Sequence, residues 1–132
     1  QKLKYDSILL LQPTSPLRKA KHISKAIKIF SNKKIDSVVS VVKCNSYHPF
    51  RMKRITNGSL INYIDQGQED MRPRQKLPNV YIRNGAIYMT KRDMFLQNES
   101  LVNGEVKPLI MNDEESINID SEIDFQIAEN LM

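Results

Sequence analysis

Three short polar stretches in this chain carry residue types suited to binding sugars, acids and metal ions. The first, Gln12 to Arg18 (QPTSPLR), follows the apolar run Ser7 to Leu11. In open α/β sheets ligands gather beyond the carboxyl ends of the strands. Gln12 brings an amide that both donates and accepts, which suits a sugar hydroxyl or amide. Thr14 and Ser15 have two readings, as ligand contacts or as N-caps of the next helix. The second stretch sets Arg74, in Pro73 to Gln75, and Asn84 on either side of a short linker. A guanidinium matches a carboxylate or phosphate with two parallel hydrogen bonds, although most surface arginines recognise nothing. The third is Ser116 to Asp120 (SINID). If extended, it points Asn118 and Asp120 to one face, where two oxygen-bearing side chains suit Mg²⁺ and its waters. The plain alternative is the polar edge of a loop.

The elements that must position these groups follow from periodicity. Ser7 to Leu11 is apolar on both faces and predicts a fully buried strand, which two prolines then end. From Lys19 to Phe30 apolar residues at 20, 23, 26, 27 and 30 recur at helical spacing, with lysines opposite. Asp36 to Lys43 is β-branched and predicts another buried strand, so the order suggests a βαβ unit with a parallel sheet. Residues 51–64 alternate weakly around Asn57-Gly58, a strong hairpin signal. Residues 65–74 predict a loop, 81–90 a strand, 91–97 a short helix and 106–111 a further strand. Ser121, with Asp124 three residues on, predicts a capped helix with Ile123, Ile127 and Leu131 on one face.

The chain has 132 residues, enough for one ordinary domain, with 40% hydrophobic and 27% charged residues as in soluble globular proteins. No apolar run approaches the ~20 residues that span a bilayer, which argues against a membrane partner. The net charge of +5 gathers in the lysines from 19 to 34. With no interleaved aromatics this reads as a solvated helix face rather than a nucleic-acid surface. A single cysteine, Cys44, excludes an internal disulfide and reads as a small buried hydrophobe in a cytoplasmic protein.

Taken together, LLLQPTSPLR at 9–18, RQKLP at 74–78, NGAIY at 84–88 and INIDSEIDFQIAE at 117–129 resemble the acylneuraminate cytidylyltransferase family. These are also called CMP-N-acetylneuraminate synthetases. The resemblance runs over essentially the whole chain, as the C-terminal portion of a single cytidylyltransferase domain. It implies an α/β, Rossmann-like nucleotidyltransferase fold whose N-terminal nucleotide-binding part lies outside residues 1–132. It also implies a homodimer using CTP, Mg²⁺ and a nonulosonic acid sugar, with residues 51–74 as the dimerisation extension. By the same resemblance Gln12 contacts the sugar, Arg74 faces its carboxylate, Asn84 and Tyr88 line the sugar pocket, and Asp120 is a metal ligand.

Two departures stand out. Related sequences often carry an aspartate where this chain has Asn118, and an amide oxygen ligates Mg²⁺ without the charge. The family's glycine-rich, basic phosphate loop has no counterpart here, so the isolated chain is expected to be inactive, with no catalytic residue assigned. Its sheet is then completed by self-association or left exposed. Other readings are a non-catalytic sugar-binding module, or a cytidylyltransferase for another acid such as 3-deoxy-octulosonic acid.

Overall fold

A computed structural model describes residues 4–132. By its contacts the chain divides into two compact units, residues 43–81 and the remainder.

The larger unit is built on a mixed sheet in which β1 (Ser7–Leu10), β5 (Tyr81–Lys91), β2 (Ser37–Lys43) and β6 (Val106–Met111) lie side by side in that order. β2 pairs with β6 in parallel, from Ser37 opposite Val106 to Val42 opposite Met111. β1 pairs with β5 antiparallel, from Ser7 opposite Lys91 to Leu10 opposite Tyr88. Between β5 and β2, Lys91 N donates to Asp36 O at 3.0 Å and Ile87 N donates to Ser40 Oγ at 2.7 Å. Residue numbers rise along one strand as they fall along the other, the antiparallel sense.

This arrangement corrects the expectation for β1. The sequence predicts a fully buried strand in a parallel βαβ unit, yet β1 is only partly buried and leaves Leu10 38% exposed. The cause is β5, an 11-residue strand that inserts between β1 and β2 and takes the central place. Its residues 84–87 are buried, as are Ser37 to Ser40 of β2.

Helix α1 (Ala20–Phe30) forms as expected, but its buried face is turned. His22 and Ala26 are buried, Ile23, Ile29 and Phe30 pack on the core, and Ala20 and Ile27 face solvent. A histidine can hold a buried position when both ring nitrogens are partnered, as His22 is below. The core joins Ala26 to Ile35, Val38, Ala86, Ile87, Met89, Leu109 and Met111.

Helix α2 (Arg92–Asn98) follows β5, and α3 (Glu122–Leu131) closes the unit. Ser121 caps α3 as predicted: its hydroxyl accepts from Asp124 N, and Asp124 Oδ2 accepts from Ser121 N at 2.8 Å. The Ser121 hydroxyl beside it holds the Asp124 carboxyl below the usual carboxylate range. The apolar stripe of α3 lies open. Ile123, Ile127 and Leu131 are 42–68% exposed, and only Ala128 is buried. The pattern is helical, but no described residue covers that face.

The second unit holds the hairpin β3 (Lys53–Thr56) and β4 (Ser59–Asn62), paired from Lys53 opposite Asn62 to Thr56 opposite Ser59. Its turn residues Asn57 and Gly58 have φ of +51° and +76°, the pair of left-handed conformations of a type I′ turn. Ile55, Leu60, Tyr63 and Met71 in this unit are 65–82% exposed. Cys44 is half-buried rather than buried, and its thiol donates to Tyr47 O at 2.6 Å. Among the described residues no helix is long and apolar enough to cross a membrane.

Candidate functional site

Beyond Leu10 the chain turns sharply, with Ser15 N donating to Gln12 O at 3.3 Å. Neither Thr14 nor Ser15 caps α1. Lys19 is its N-cap residue, and the backbone N–H of Lys19 donates to His22 Nδ1 at 3.0 Å. Ser15 is instead buried, and its hydroxyl donates to Asn84 O at 3.4 Å.

Arg18 fixes this turn against β5. Its Nη1 donates to Gln12 O at 3.0 Å and to Ala86 O at 2.9 Å, so one guanidinium nitrogen bridges the turn and the strand. The third stretch joins the same place. Ile119 N donates to Thr14 O at 2.8 Å, and Asn84 Nδ2 donates to Ser116 Oγ at 2.9 Å. Three stretches far apart in sequence thus meet at one end of β5.

Gly85 lies at the meeting point. Its φ of +76° is a left-handed conformation inside a strand, where β-carbon-bearing residues are strained. A Cβ placed there would fall on Gln12 Oε1, closer than real Cβ contacts allow, and 3.4 Å from Asn118 Oδ1. Two amide side chains therefore crowd the bare face of this glycine.

Of the predicted site residues, Gln12, Asn84, Asn118 and Asp120 come together here. Asn84 is 5% exposed, and its Oδ1 accepts from Ala86 N at 3.2 Å while its Nδ2 meets Ser116. Its amide is thereby used within the protein. Tyr88 lies further along β5, half-buried and opposite Leu10. Asn118 Nδ2 donates to Asp120 Oδ2 at 2.8 Å, placing the two side chains side by side as their spacing predicts. Asn118 Oδ1 is buried beside Gly85 without a hydrogen-bond partner among the described residues, so a ligand would reach it only if the amide turned.

Arg74 belongs to the second unit, in a short 3₁₀ turn, Arg74–Lys76. It forms no ion pair with another described residue and, with Lys43, His48 and Gln75, lines a recess of about 270 Å³.

Sequence reasoning missed a second polar cluster beside the first. Glu115, with only 12% of its side chain exposed, takes Lys19 Nζ at 3.0 Å, Lys21 Nζ, and His22 Nε2 at 3.0 Å. Because His22 Nδ1 accepts from Lys19 N, the ring proton sits on Nε2 and is donated to the carboxylate. The Lys21 ammonium, then that of Lys19, holds the Glu115 carboxyl down at about 2. A polar residue with helical spacing to the buried Ala26 was the available signal for His22.

This cluster predicts a pH dependence. A carboxyl with a folded value below its unfolded one stabilises the fold fully above about pH 4.5 and progressively less as pH falls towards 2. Melting temperature should fall over that interval, and Glu115→Gln should flatten the fall. Thermal melts from pH 6 to 2 check this; a variant as acid-sensitive as the parent would contradict it.

The residues also bear on the metal that the family resemblance implies. A hard cation takes oxygen ligands, and the Asp120 carboxylate and the unpartnered Asn118 Oδ1 are of that kind. Among the described residues no group of three or more histidine, cysteine, aspartate or glutamate side chains is placed to hold a metal. The donor set therefore fits a Mg²⁺ that draws its other ligands from water and substrate.

An α/β chain with a mixed sheet and a cluster of amide and carboxylate side chains at a strand end is a frame on which small-molecule sites are built. Its relatives say which such proteins it is similar to. The chain is 34% identical over 132 residues to a CMP-N,N′-diacetyllegionaminic acid synthase of Legionella pneumophila, covering 97% of this chain and 54% of the relative. It is 29% identical to post-translational flagellin modification protein B of Campylobacter coli, over 99% of this chain and 54% of the relative. It is 31% identical to the N-acylneuraminate cytidylyltransferase of Escherichia coli O18:K1:H7, over 94% of this chain and 29% of the relative. No family model matches. The chain is thus homologous to proteins named as acylneuraminate cytidylyltransferases and CMP-legionaminic acid synthases, and it spans about half the length of the first two of these relatives.

Proposed function

We propose that the natural protein transfers CMP from CTP to the anomeric hydroxyl of a sialic-acid-like 2-keto sugar acid, and that this chain furnishes the sugar and metal side of the reaction. One observation carries the reading. The three family-like segments of the larger unit are knitted together by hydrogen bonds at one strand end, with Gln12 and Asn118 converging on Gly85 and Asp120 joined to Asn118.

In the reaction the anomeric oxygen bonds to the α-phosphorus of CTP while the bond from that phosphorus to the departing pyrophosphate breaks in line. The hydroxyl proton leaves to solvent. Such a transfer is mostly positioning and charge neutralisation. Gln12 holds a sugar hydroxyl or amide. The Arg74 guanidinium is suited to pair with a sugar carboxylate at two points. Asn84 and Tyr88 shape the pocket wall, Asn84 by keeping the Ser116 segment against β5. Asp120 and Asn118 would hold Mg²⁺, which when bound neutralises developing charge on the phosphates.

The four glycines of the chain stand apart at 58, 67, 85 and 104, with no glycine-rich loop of the kind that cradles a triphosphate. On this reading the nucleotide-binding part of the natural protein is Rossmann-like and lies outside this chain, which spans about half of its first two relatives. Residues 51–74 serve as the homodimer contact, in keeping with the exposed Ile55, Leu60 and Tyr63 of the hairpin unit.

The test supplies full-length protein with CTP, Mg²⁺ and, in turn, sialic, legionaminic, pseudaminic and 3-deoxy-octulosonic acids, and measures pyrophosphate and the CMP-sugar. Sugar binding without pyrophosphate would mark a non-catalytic sugar-binding module. Turnover of 3-deoxy-octulosonic acid alone would move the substrate class. Arg74→Ala should raise KM for the sugar acid about 30-fold, the loss of one charge-assisted pair of roughly 2 kcal/mol, and leave KM for CTP within about twofold. Equal changes in both constants would contradict the role of Arg74.

A further inference from the structure

We propose that Gly85 is a positioning residue, whose missing side chain forms the seat on which the Gln12 amide rests and is aimed at the sugar acid. The inference rests on the functional reading above and adds to it a residue that touches no substrate.

The seat has three supports. The Gln12 backbone is pinned at its carbonyl by Arg18 Nη1 at 3.0 Å and by Ser15 N at 3.3 Å, so the root of the side chain does not wander. The neighbouring rail, β5, is pinned by the same guanidinium at Ala86 O, one residue beyond Gly85. Between these anchors, Gln12 Oε1 occupies the space that a Cβ on residue 85 would fill, with Asn118 Oδ1 3.4 Å from the same point. The Gln12 side chain has no hydrogen-bond partner among the described residues, so shape rather than bonding fixes it there.

A methyl group at position 85 meets the far end of a flexible side chain, not backbone. The chain can therefore relieve the clash by swinging Gln12 away instead of unfolding. The cost should appear in substrate positioning, where displacement by about 1 Å can cost 10²-fold. The left-handed backbone at Gly85 adds strain of its own, which needs a separate control. Gly58 supplies it: its φ is also +76°, and a Cβ there meets nothing within 4 Å.

The experiment compares Gly85→Ala, Gln12→Ala, the double variant and Gly58→Ala in the full-length protein. Two readouts are taken: steady-state kinetics, and the side-chain amide resonances of Gln12 in ¹⁵N-glutamine-labelled protein, assigned by their loss in Gln12→Ala. Gly85→Ala should move the Gln12 amide pair and lower the melting temperature about as much as Gly58→Ala. It should raise KM for the sugar acid about tenfold with KM for CTP unchanged, and add almost nothing in the Gln12→Ala background. An unmoved amide pair overturns the seat. So does a KM penalty that persists when Gln12 is already alanine. If Gly85→Ala does not fold, the double variant decides: failure there as well assigns the loss to backbone strain and overturns the proposal, whereas folding of the double variant upholds the seat. A displaced amide pair in a protein that turns over no sugar acid keeps the seat and sinks the functional reading instead.

Discussion

Arg18→Met is expected to lower the melting temperature by about 10 °C and to abolish most sugar-acid turnover, because one guanidinium holds the turn after β1 against β5. Its Nη1 donates to Gln12 O and to Ala86 O at 3.0 and 2.9 Å in a partly buried place. Hydrogen bonds from a charged donor contribute roughly 1.5–3 kcal/mol each, and losing one partner also leaves a carbonyl unsatisfied. A combined loss of about 3 kcal/mol is large against the 5–15 kcal/mol that typically holds a domain folded. At roughly 4 °C per kcal/mol for a chain of this size, the shift is about 10 °C. Methionine keeps much of the side-chain volume, so the effect reports the bridge and not a cavity. Lysine should rescue little, since a compact ammonium on a flexible stem lacks the fixed donor geometry of the guanidinium. The outcome that sinks this account is a methionine variant melting within 2 °C of the parent, measured by scanning calorimetry.

That bridge also shows what the sequence could and could not convey. Local signals were legible because they depend on neighbours in sequence. Ser121 with Asp124 specifies a helix start by reciprocal hydrogen bonds over three residues, and Asn57-Gly58 supplies the two left-handed conformations of a tight turn. The pairing of Asn118 with Asp120 follows from alternation along extended backbone. Strand order was not legible, because nothing in Ser7 to Leu10 says that β5, over seventy residues on, becomes its neighbour. An apolar strand reads alike at the centre and the edge of a sheet. Apolar periodicity likewise gave α3 its helix, but not whether Ile123 and Ile127 would be covered. At the site, residue types and family-like segments singled out Gln12, Arg74 and Asp120. Arg18 and Gly85, which hold Gln12 in place, and the neighbouring His22–Glu115 pair depend on contacts more than sixty residues away in sequence, and only the folded chain displays those contacts.

Asp120→Asn should reduce kcat/KM about 10³-fold, about 4 kcal/mol of transition-state stabilisation, while leaving the fold nearly intact. The substitution separates charge from shape. Asp120 accepts from Asn118 Nδ2 through Oδ2, and its own N–H donates to Asp124 Oδ2 at 3.1 Å. An asparagine oxygen can still accept from Asn118, and the backbone bond to the capping aspartate is untouched. What disappears is the carboxylate charge of the Asn118–Asp120 pair, in a place where no three-residue cluster stands in reserve among the described residues. Magnesium should therefore raise the melting temperature of the parent and not of Asp120→Asn, a readout independent of turnover. The converse substitution sharpens the argument. Asn118→Asp sets a second carboxylate where an amide now donates to the first, so the two repel in the absence of a cation and bind one more tightly when it is present. This variant should melt lower than the parent without Mg²⁺ and gain more from it. If Mg²⁺ stabilises all three proteins equally, the ion is held elsewhere. If Asp120→Asn turns over at the parent rate, the carboxylate has no part in the chemistry.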